Sequence, residues 1–413
     1  MIEIKKLEKK EKLSYQELDN VFTGYLKGSI DDDEMTKVLK LICKNGLSHE
    51  ETIDLTDIFI KSGEVLPMNI SFIDKHSTGG VGDKTTLVVL PILASLGVRI
   101  SKMSGKALGY TGGTIDKLNS IGVKTDLTKK EFYNAIDKTN MVISSQTANL
   151  CPLDKKVYAL RDVTGTTKSI PLIASSIMSK KIASGAGKIL IDIKVGKGAL
   201  IENKKQAKEL ASLMKKIGQK YDRKVICMLT RMDNPLGDNI GNKLEVKEVV
   251  DILKNKKQGN LTNLCIEMAT LMYTLSKNVS KEKARKMIKL VLNNGDAYKK
   301  FESYVKLEGG SLGNIDTDYT DITSPKSGYI KSIDSKLIGE TSMLLGAGRI
   351  KKTDKINYDA GVVLTKNVGD KVKKGDILCR LYGKSINYDS VYQAFKFSKI
   401  KVINKNVIIE VLS

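Results

Sequence analysis

Two glycine-rich stretches, residues 77–86 (STGGVGDKTT) and 104–114 (SGKALGYTGGT), carry hydroxyls and lysines in a pattern that suits the holding of a small oxyanion. Ser77, Thr78, Thr85 and Thr86 lie in the first, and Ser104, Thr111 and Thr114 in the second. Lys75, Lys84, Lys102 and Lys106 stand in or beside them. Glycine lets the backbone approach a ligand closely and turn several N–H groups towards it. A helix that opens after such a loop adds partial positive charge. Phosphate is the leading anion for such a site. Neither stretch is a Walker A loop, because Asp83 occupies the glycine position before Lys84. Neither is a GxGxxG turn, since Thr85 takes its last glycine. One loop of this kind is usually an ordinary turn; two so close together read as two walls of one pocket.

A second group lies downstream. Ser176 and Lys180 are four residues apart and share one helical face, with Arg161 upstream at the end of YALRD. Serine–lysine pairs at this spacing usually face solvent. Here the neighbours Leu172, Ile173, Ile177 and Met178 are apolar, so the pair points into a cleft. His76, one of two histidines, adjoins Lys75 in the first loop. His49 sits in a helix-cap turn.

The elements that must position these residues are of three kinds. Residues 1–65 read as three helices. S-x-x-E capping boxes at 14–17 and 48–51 open two of them, and the acidic run 31–33 opens another that ends at Gly46. From residue 69, apolar pieces at 70–74, 98–103, 140–144, 189–193 and 225–230 alternate with helical segments, the pattern of a mixed, largely parallel sheet. The run 87–96 fits either a buried helix or a strand. Ser169 and Pro171 start a helix that runs to about Ser184, and helical spacing returns at 281–292. Asn234-Pro235 marks a turn, and the polar stretch 316–321 a connection. From 324 onward, valine, isoleucine and glycine alternate with lysine, as in a small antiparallel β domain.

At 413 residues the chain exceeds one ordinary core, so two or three domains are expected. A hydrophobic content of 41% and a mean hydropathy of −0.19 fit a globular chain. No apolar run approaches membrane length, and the start, MIEIKKLEKKEKLS, lacks a signal-peptide core. Five widely spaced cysteines without a CxxC pair argue for reduced thiols and a cytoplasmic setting. The net charge of +22 raises the alternative of a nucleic-acid-binding protein. The lysines are spread along the whole chain and aromatics make up only 5%, which favours a solvated basic surface that draws anionic substrates.

DKHSTGGVGDKTT (74–86), KMSGKALGYTGGTIDKL (102–118), YALRDVTGT (158–166) and SIPLIASSIMSKKIASG (169–185) resemble the pyrimidine-nucleoside phosphorylase and thymidine phosphorylase family. The resemblance runs from residue 14 to the C-terminus. It departs at Lys106, where arginine is usual, and at Tyr110, where histidine is common. LLGAGRIKKTD (344–354) resembles the family's third, barrel-sandwich domain. NVGDKVKKGDIL (367–378) resembles the turn of a biotinyl or lipoyl carrier but lacks the modified lysine.

The resemblance implies a multidomain α+β and α/β chain. A helical domain takes residues 1–65 plus 155–186, a phosphate-binding α/β domain with a large mixed sheet takes 66–154 plus 187–323, and a small β domain takes 324–413. It implies phosphorolysis of uridine, thymidine and deoxyuridine, with strict thymidine phosphorolysis as the alternative. A related fold serves anthranilate phosphoribosyltransferase, which leaves the SIMSKK helix unexplained. Carried over residue by residue, Lys75, Ser77, Thr86, Lys102, Ser104 and Thr114 surround phosphate, while Arg161, Ser176 and Lys180 bind the pyrimidine. His76, Arg161 and Lys180 carry catalysis, His76 as a donor to the base carbonyl. Gly82, Lys84, Leu236, Asn239 and Glu248 match a potassium site in which Lys84 replaces threonine and Asn239 alanine. Two alternatives follow: potassium on backbone carbonyls, or the lysine ammonium in its place. No organic cofactor, nucleic acid or membrane partner is implied. A homodimer through the helical domain and closure of the interdomain cleft are expected.

Overall fold

The computed structural model describes residues 2–67, 69–106, 109–145, 149–313, 318–351 and 353–413. It opens with four helices, α1 (Ile2–Glu8), α2 (Tyr15–Lys27), α3 (Asp32–Asn45) and α4 (His49–Lys61). Both capping boxes form: Ser14 with Glu17 and Ser48 with Glu51 satisfy each other's backbone N–H groups. The Asp31 side chain caps α3, and Gly46 follows its last turn. Helix α1 is the addition to the expected three. Only Leu7 of its seven residues is buried, too little apolar periodicity to announce a helix.

The α/β portion then runs β1 (Asn69–Ser77), α5 (Thr85–Ser95), β2 (Ile100–Ser104), α6 (Thr114–Asn119), α7 (Lys129–Thr139) and β3 (Met141–Ser145). It continues through α8 (Pro152–Thr164), α9 (Ile170–Ala183), β4 (Ala186–Val195), α10 (Lys204–Lys220) and β5 (Lys224–Arg231). The short strand β6 (Asn239–Gly241) leads into α11 (Asn242–Leu253), α12 (Asn260–Lys277), α13 (Lys281–Asn293) and α14 (Asp296–Leu307). The ambiguous run 87–96 is helical: Leu87 to Ala94 are buried on every side, so the sequence offers no polar face to reveal the period.

The β portion begins at Tyr319, ahead of the expected residue 324. Strands β7 (Tyr319–Thr323) and β8 (Gly328–Ile333), helix α15 (Ser335–Ser342), strands β9 (Gly361–Leu364), β10 (Lys371–Val372) and β11 (Ile377–Tyr382), helix α16 (Asp389–Ala394) and strands β12 (Phe395–Ser398) and β13 (Ile408–Leu412) complete the chain. Within the expected connection 316–321, residues 316 and 317 lie outside the described residues, and β7 begins at Tyr319.

The main sheet has the order β13-β5-β4-β1-β2-β3. Its β1–β5 members pair in parallel, and β13 adds antiparallel to β5 at the edge. The last strand, which composition groups with the C-terminal β unit, thus joins the central sheet. In exchange β6 enters the small sheet β6-β9-β11-β7, beside a second small sheet, β10-β8-β12. Among the described residues no helix is long and apolar enough to cross a membrane.

Three of the hydrophobic cores hold the elements that carry the candidate site residues. Helices α1–α4 close around Phe22, Leu39 and Phe59 with Leu153 and Val157 of α8. Helix α9 belongs to the next core, where Ile177, Met178 and Ile182 meet Ile191 and Ile193 of β4 and Leu210 and Met214 of α10. Helices α5, α12 and α14 cover the opposite face. Burying one such side chain is worth about 1.5–3 kcal/mol, so α9 is fixed firmly between the helical bundle and the sheet.

Candidate active site

In an open parallel sheet ligands collect at the carboxyl ends of the strands. Lys75 and Ser77 close β1, and Lys102 and Ser104 close the neighbouring β2. Thr86 sits in the first turn of α5, and Thr114 opens α6. The six expected phosphate residues therefore occupy two adjacent strand ends and the two helix starts that follow them. Residues 107 and 108 of the second loop lie outside the described residues.

The side chains show how the first loop is held. Lys75 is fully buried, and its Nζ donates to Thr85 Oγ1 at 2.5 Å and lies 3.5 Å from Thr86 Oγ1. Ser77 Oγ accepts from the Gly79 N–H at 3.2 Å. Gly82 has φ +74°, and a Cβ there would meet the Leu236 carbonyl at 2.5 Å, so this position requires glycine twice over.

Sequence reasoning missed the carboxylates. Lys181 Nζ lies 2.6 Å from Asp74 Oδ2, and Lys102 Nζ 4.0 Å from Asp74 Oδ1. Lys194 Nζ lies 2.5 Å from Asp192 Oδ2 and 3.9 Å from Asp83 Oδ2, while Lys75 is 4.0 Å from Asp83 Oδ1. Four buried lysines (75, 102, 181 and 194) thus face three aspartates (74, 83 and 192), an excess of one positive charge. Burial and then Lys181 push the Lys102 ammonium well below the ordinary lysine range, although Asp74 pulls the other way. An anion placed beside Lys102 would relieve that stress. Of these unforeseen residues only Lys181 gave a signal, as the second lysine of the 180–181 doublet.

His76 follows Lys75 at the strand end. Burial first, then Lys102, Lys181, Lys180 and Lys75, hold its imidazole well below the usual histidine range. The ring is neutral at neutral pH, and its buried Nδ1 has no hydrogen-bond partner among the described residues. The pairing of Lys181 with Asp74 at 2.6 Å brings the α9 helix against the end of β1.

On α9, Lys180 Nζ donates to Ser176 Oγ at 2.8 Å and to Asp154 Oδ2 of α8 at 2.5 Å. The expected i, i+4 pair forms, and Lys180 keeps a partly open side chain at 21% exposure. Arg161 is engaged differently. Its Nε, Nη1 and Nη2 donate to the carbonyls of Thr166, Leu172 and Thr167 at 3.2, 3.1 and 3.0 Å. The guanidinium thereby pins the α8–α9 turn, which engages three of its five donors.

Gly82, Lys84, Leu236, Asn239 and Glu248 also converge. Lys84 Nζ lies 3.1 Å from Leu236 O, 2.7 Å from Asn239 O and 2.6 Å from Glu248 Oε2. Among the described residues no group of three or more His, Cys, Asp or Glu side chains could hold a metal ion.

The C-terminal unit braces the second loop. The Gly109 N–H donates to the Arg349 carbonyl at 3.0 Å, and Arg349 Nη2 donates to Asp116 Oδ1 of α6 at 2.8 Å. A Cβ on Gly348 would stand 2.9 Å from the Gly109 carbonyl.

Family models match three parts of the chain. The glycosyl transferase family a/b domain covers residues 69–298, the helical bundle domain of the same family 3–63, and the pyrimidine nucleoside phosphorylase C-terminal domain 329–400. A pyrimidine-nucleoside phosphorylase of Bacillus subtilis (strain 168) is 43% identical over 401 residues, 94% of this chain and 92% of the relative. Another, from Geobacillus stearothermophilus, is 41% identical over 394 residues, 92% of this chain and 91% of its own. Among solved structures, anthranilate phosphoribosyltransferase from Thermus thermophilus superposes with a TM-score of 0.59 at 16% identity, covering 74% of this chain and 99% of that one, a likeness of fold alone. With relatives this similar over nearly its whole length, the chain belongs to the pyrimidine-nucleoside phosphorylase family of glycosyl transferases.

Proposed function

We propose that the chain catalyses reversible phosphorolysis of pyrimidine nucleosides, giving the free base and α-D-(deoxy)ribose 1-phosphate. The relatives' names support this reading, and one observation carries it: Lys181 of α9 is paired at 2.6 Å with Asp74 of β1, which brings the Ser176–Lys180 helix against the strand that ends in Lys75, His76 and Ser77.

Phosphate, held by Lys75, Ser77, Thr86, Lys102, Ser104 and Thr114, supplies an oxygen to C1′ as the C1′–N1 bond breaks. Positioning is most of what this requires of the protein. The departing ring takes up the bonding pair, so Lys180, Ser176 and Arg161 serve as donors to it. Charge-assisted donors aimed at developing charge are worth several kcal/mol. His76, being neutral, donates from one ring nitrogen to the base carbonyl. Phosphate stabilises the oxocarbenium character of the sugar, and no covalent intermediate with the enzyme is needed.

The substrate range we infer is uridine, thymidine and deoxyuridine. All five cysteines are free thiols, which accords with a cytoplasmic setting. We place a homodimer interface on the helical bundle, where Ile2, Tyr158 and Val163 are exposed. Small-angle scattering should register compaction when both substrates are added.

The deciding assay follows release of uracil and thymine from uridine and thymidine with and without phosphate. Phosphate-dependent release of both bases is expected. Release of thymine alone would leave the thymidine-only reading. No release, together with a salt-sensitive gel shift, would favour nucleic-acid binding.

A further inference from the structure

The cation position that the family resemblance gives to potassium is built from the Leu236 and Asn239 carbonyls and the Glu248 carboxylate. In this chain the Lys84 ammonium stands among those same three oxygens, at 3.1, 2.7 and 2.6 Å. An ammonium has three N–H donors, and each of them has one acceptor here. Its side chain and that of Glu248 are fully buried. The other carboxylate oxygen, Oε1, lies 2.7 Å from Lys257 Nζ, which also meets Asp238 Oδ2 at 2.7 Å. Two lysines and two carboxylates therefore balance, and a metal ion would add an uncompensated buried charge. The second departure is accounted for as well: Asn239 Nδ2 donates to the Leu244 carbonyl at 2.8 Å, tying β6 to α11.

The residues present do not fit potassium, and we infer that Lys84 is a built-in replacement for the ion, freeing this enzyme from monovalent cations. Lys84 is also a positioning residue. It immediately precedes α5, whose first residues Thr85 and Thr86 receive Lys75, and its ammonium fastens that helix start to the 236–239 turn. The backbone repeats the link, since the Leu236 N–H donates to the Val81 carbonyl at 3.0 Å. Because β6 pairs with β9, the first phosphate loop is anchored through Lys84 to the C-terminal unit.

The test compares chloride salts of potassium, rubidium, sodium and choline at equal ionic strength, for the full-length wild type and for Lys84→Thr and Lys84→Met. The inference rests on the phosphorolysis reading for its activity arm only; thermal unfolding reads cation binding whether or not the chain phosphorolyses nucleosides. Wild type should keep the same kcat/KM within twofold, and the same unfolding temperature, in potassium and in choline. Lys84→Thr reopens the site. It should lose at least tenfold in kcat/KM in choline, recover it in potassium, and show an unfolding temperature that rises with potassium. Lys84→Met, which neither donates nor leaves room, should be impaired and unresponsive to any salt. A wild type stabilised or activated more than twofold by potassium would overturn the inference, and so would a Lys84→Thr enzyme fully active in choline. Should the variants fail to fold, the wild-type potassium titration decides by itself.

Discussion

Lys181 on α9 donates to Asp74 on β1 across 2.6 Å, and both side chains are almost wholly buried. The pair joins the helix that carries Ser176 and Lys180 to the strand that carries Lys75 and His76. Removing the lysine strands a buried carboxylate, for which the cost is about 3 kcal/mol. Lys102, 4.0 Å from the same aspartate, would then be drawn towards it and away from an incoming anion. Lys181→Met should therefore lower the unfolding free energy by roughly that amount and raise KM for phosphate more than KM for nucleoside. Urea titration and two-substrate kinetics measure both.

His76 gives the enzyme a pH signature. Its folded pKa lies well below 6.5 because of burial and of Lys102, Lys181, Lys180 and Lys75. In the window between the two values the unfolded chain binds a proton that the folded one refuses. Stability is therefore present above pH 6.5 and declines as pH falls towards the folded pKa. His76→Gln should flatten this part of the urea-midpoint profile between about pH 7.5 and 5. Phosphate should flatten it in the wild type, because an anion among those lysines raises the folded pKa.

Arg161 has a structural task besides the substrate contact proposed for it. Two of its three backbone carbonyl partners, Thr166 and Leu172, belong to buried residues, and each buried acceptor left unpaired costs about 1–3 kcal/mol. Arg161→Lys keeps the charge but not the planar fork. It should unfold about 2 kcal/mol more easily by urea titration and raise KM for nucleoside about tenfold, with KM for phosphate nearly unchanged.

A complementary split is expected at the far side of the site. Arg349 reaches from the C-terminal unit to Asp116 of α6, the helix that Thr114 opens. Arg349→Ala should raise KM for phosphate several-fold and leave KM for nucleoside within twofold, as read from initial rates. Equal effects on both would argue against a brace specific to the second loop.

Local signals were legible where chemistry is local. The capping boxes at Ser14 and Ser48, the Asp31 cap and the apolar runs of β1 to β5 identify their elements from sequence alone. The glycine loops and the Ser176–Lys180 spacing mark the two segments from which the candidate site is built. What the sequence hides is pairing at a distance. Asp74 and Lys181 are 107 positions apart, and Lys84 and Glu248 are 164 apart. No periodicity links such residues; only the order of strands in the sheet does. The same holds for β13, whose apolar residues announce a strand but not its neighbour. Arg161 stood out in the sequence as a candidate site residue and was illegible as the clamp of its own turn, because backbone acceptors carry no residue identity.

The exchange of β6 and β13 has an evolutionary and practical meaning. The C-terminal unit takes one strand from the middle of the chain and lends its own last strand to the central sheet. It is no cassette. Severing the chain before residue 324 would strip β9 of a neighbour and lay bare the edge of β5, so fragments from either side of the cut should be prone to aggregate, and swapping this unit between homologues should succeed only when both strands travel with it.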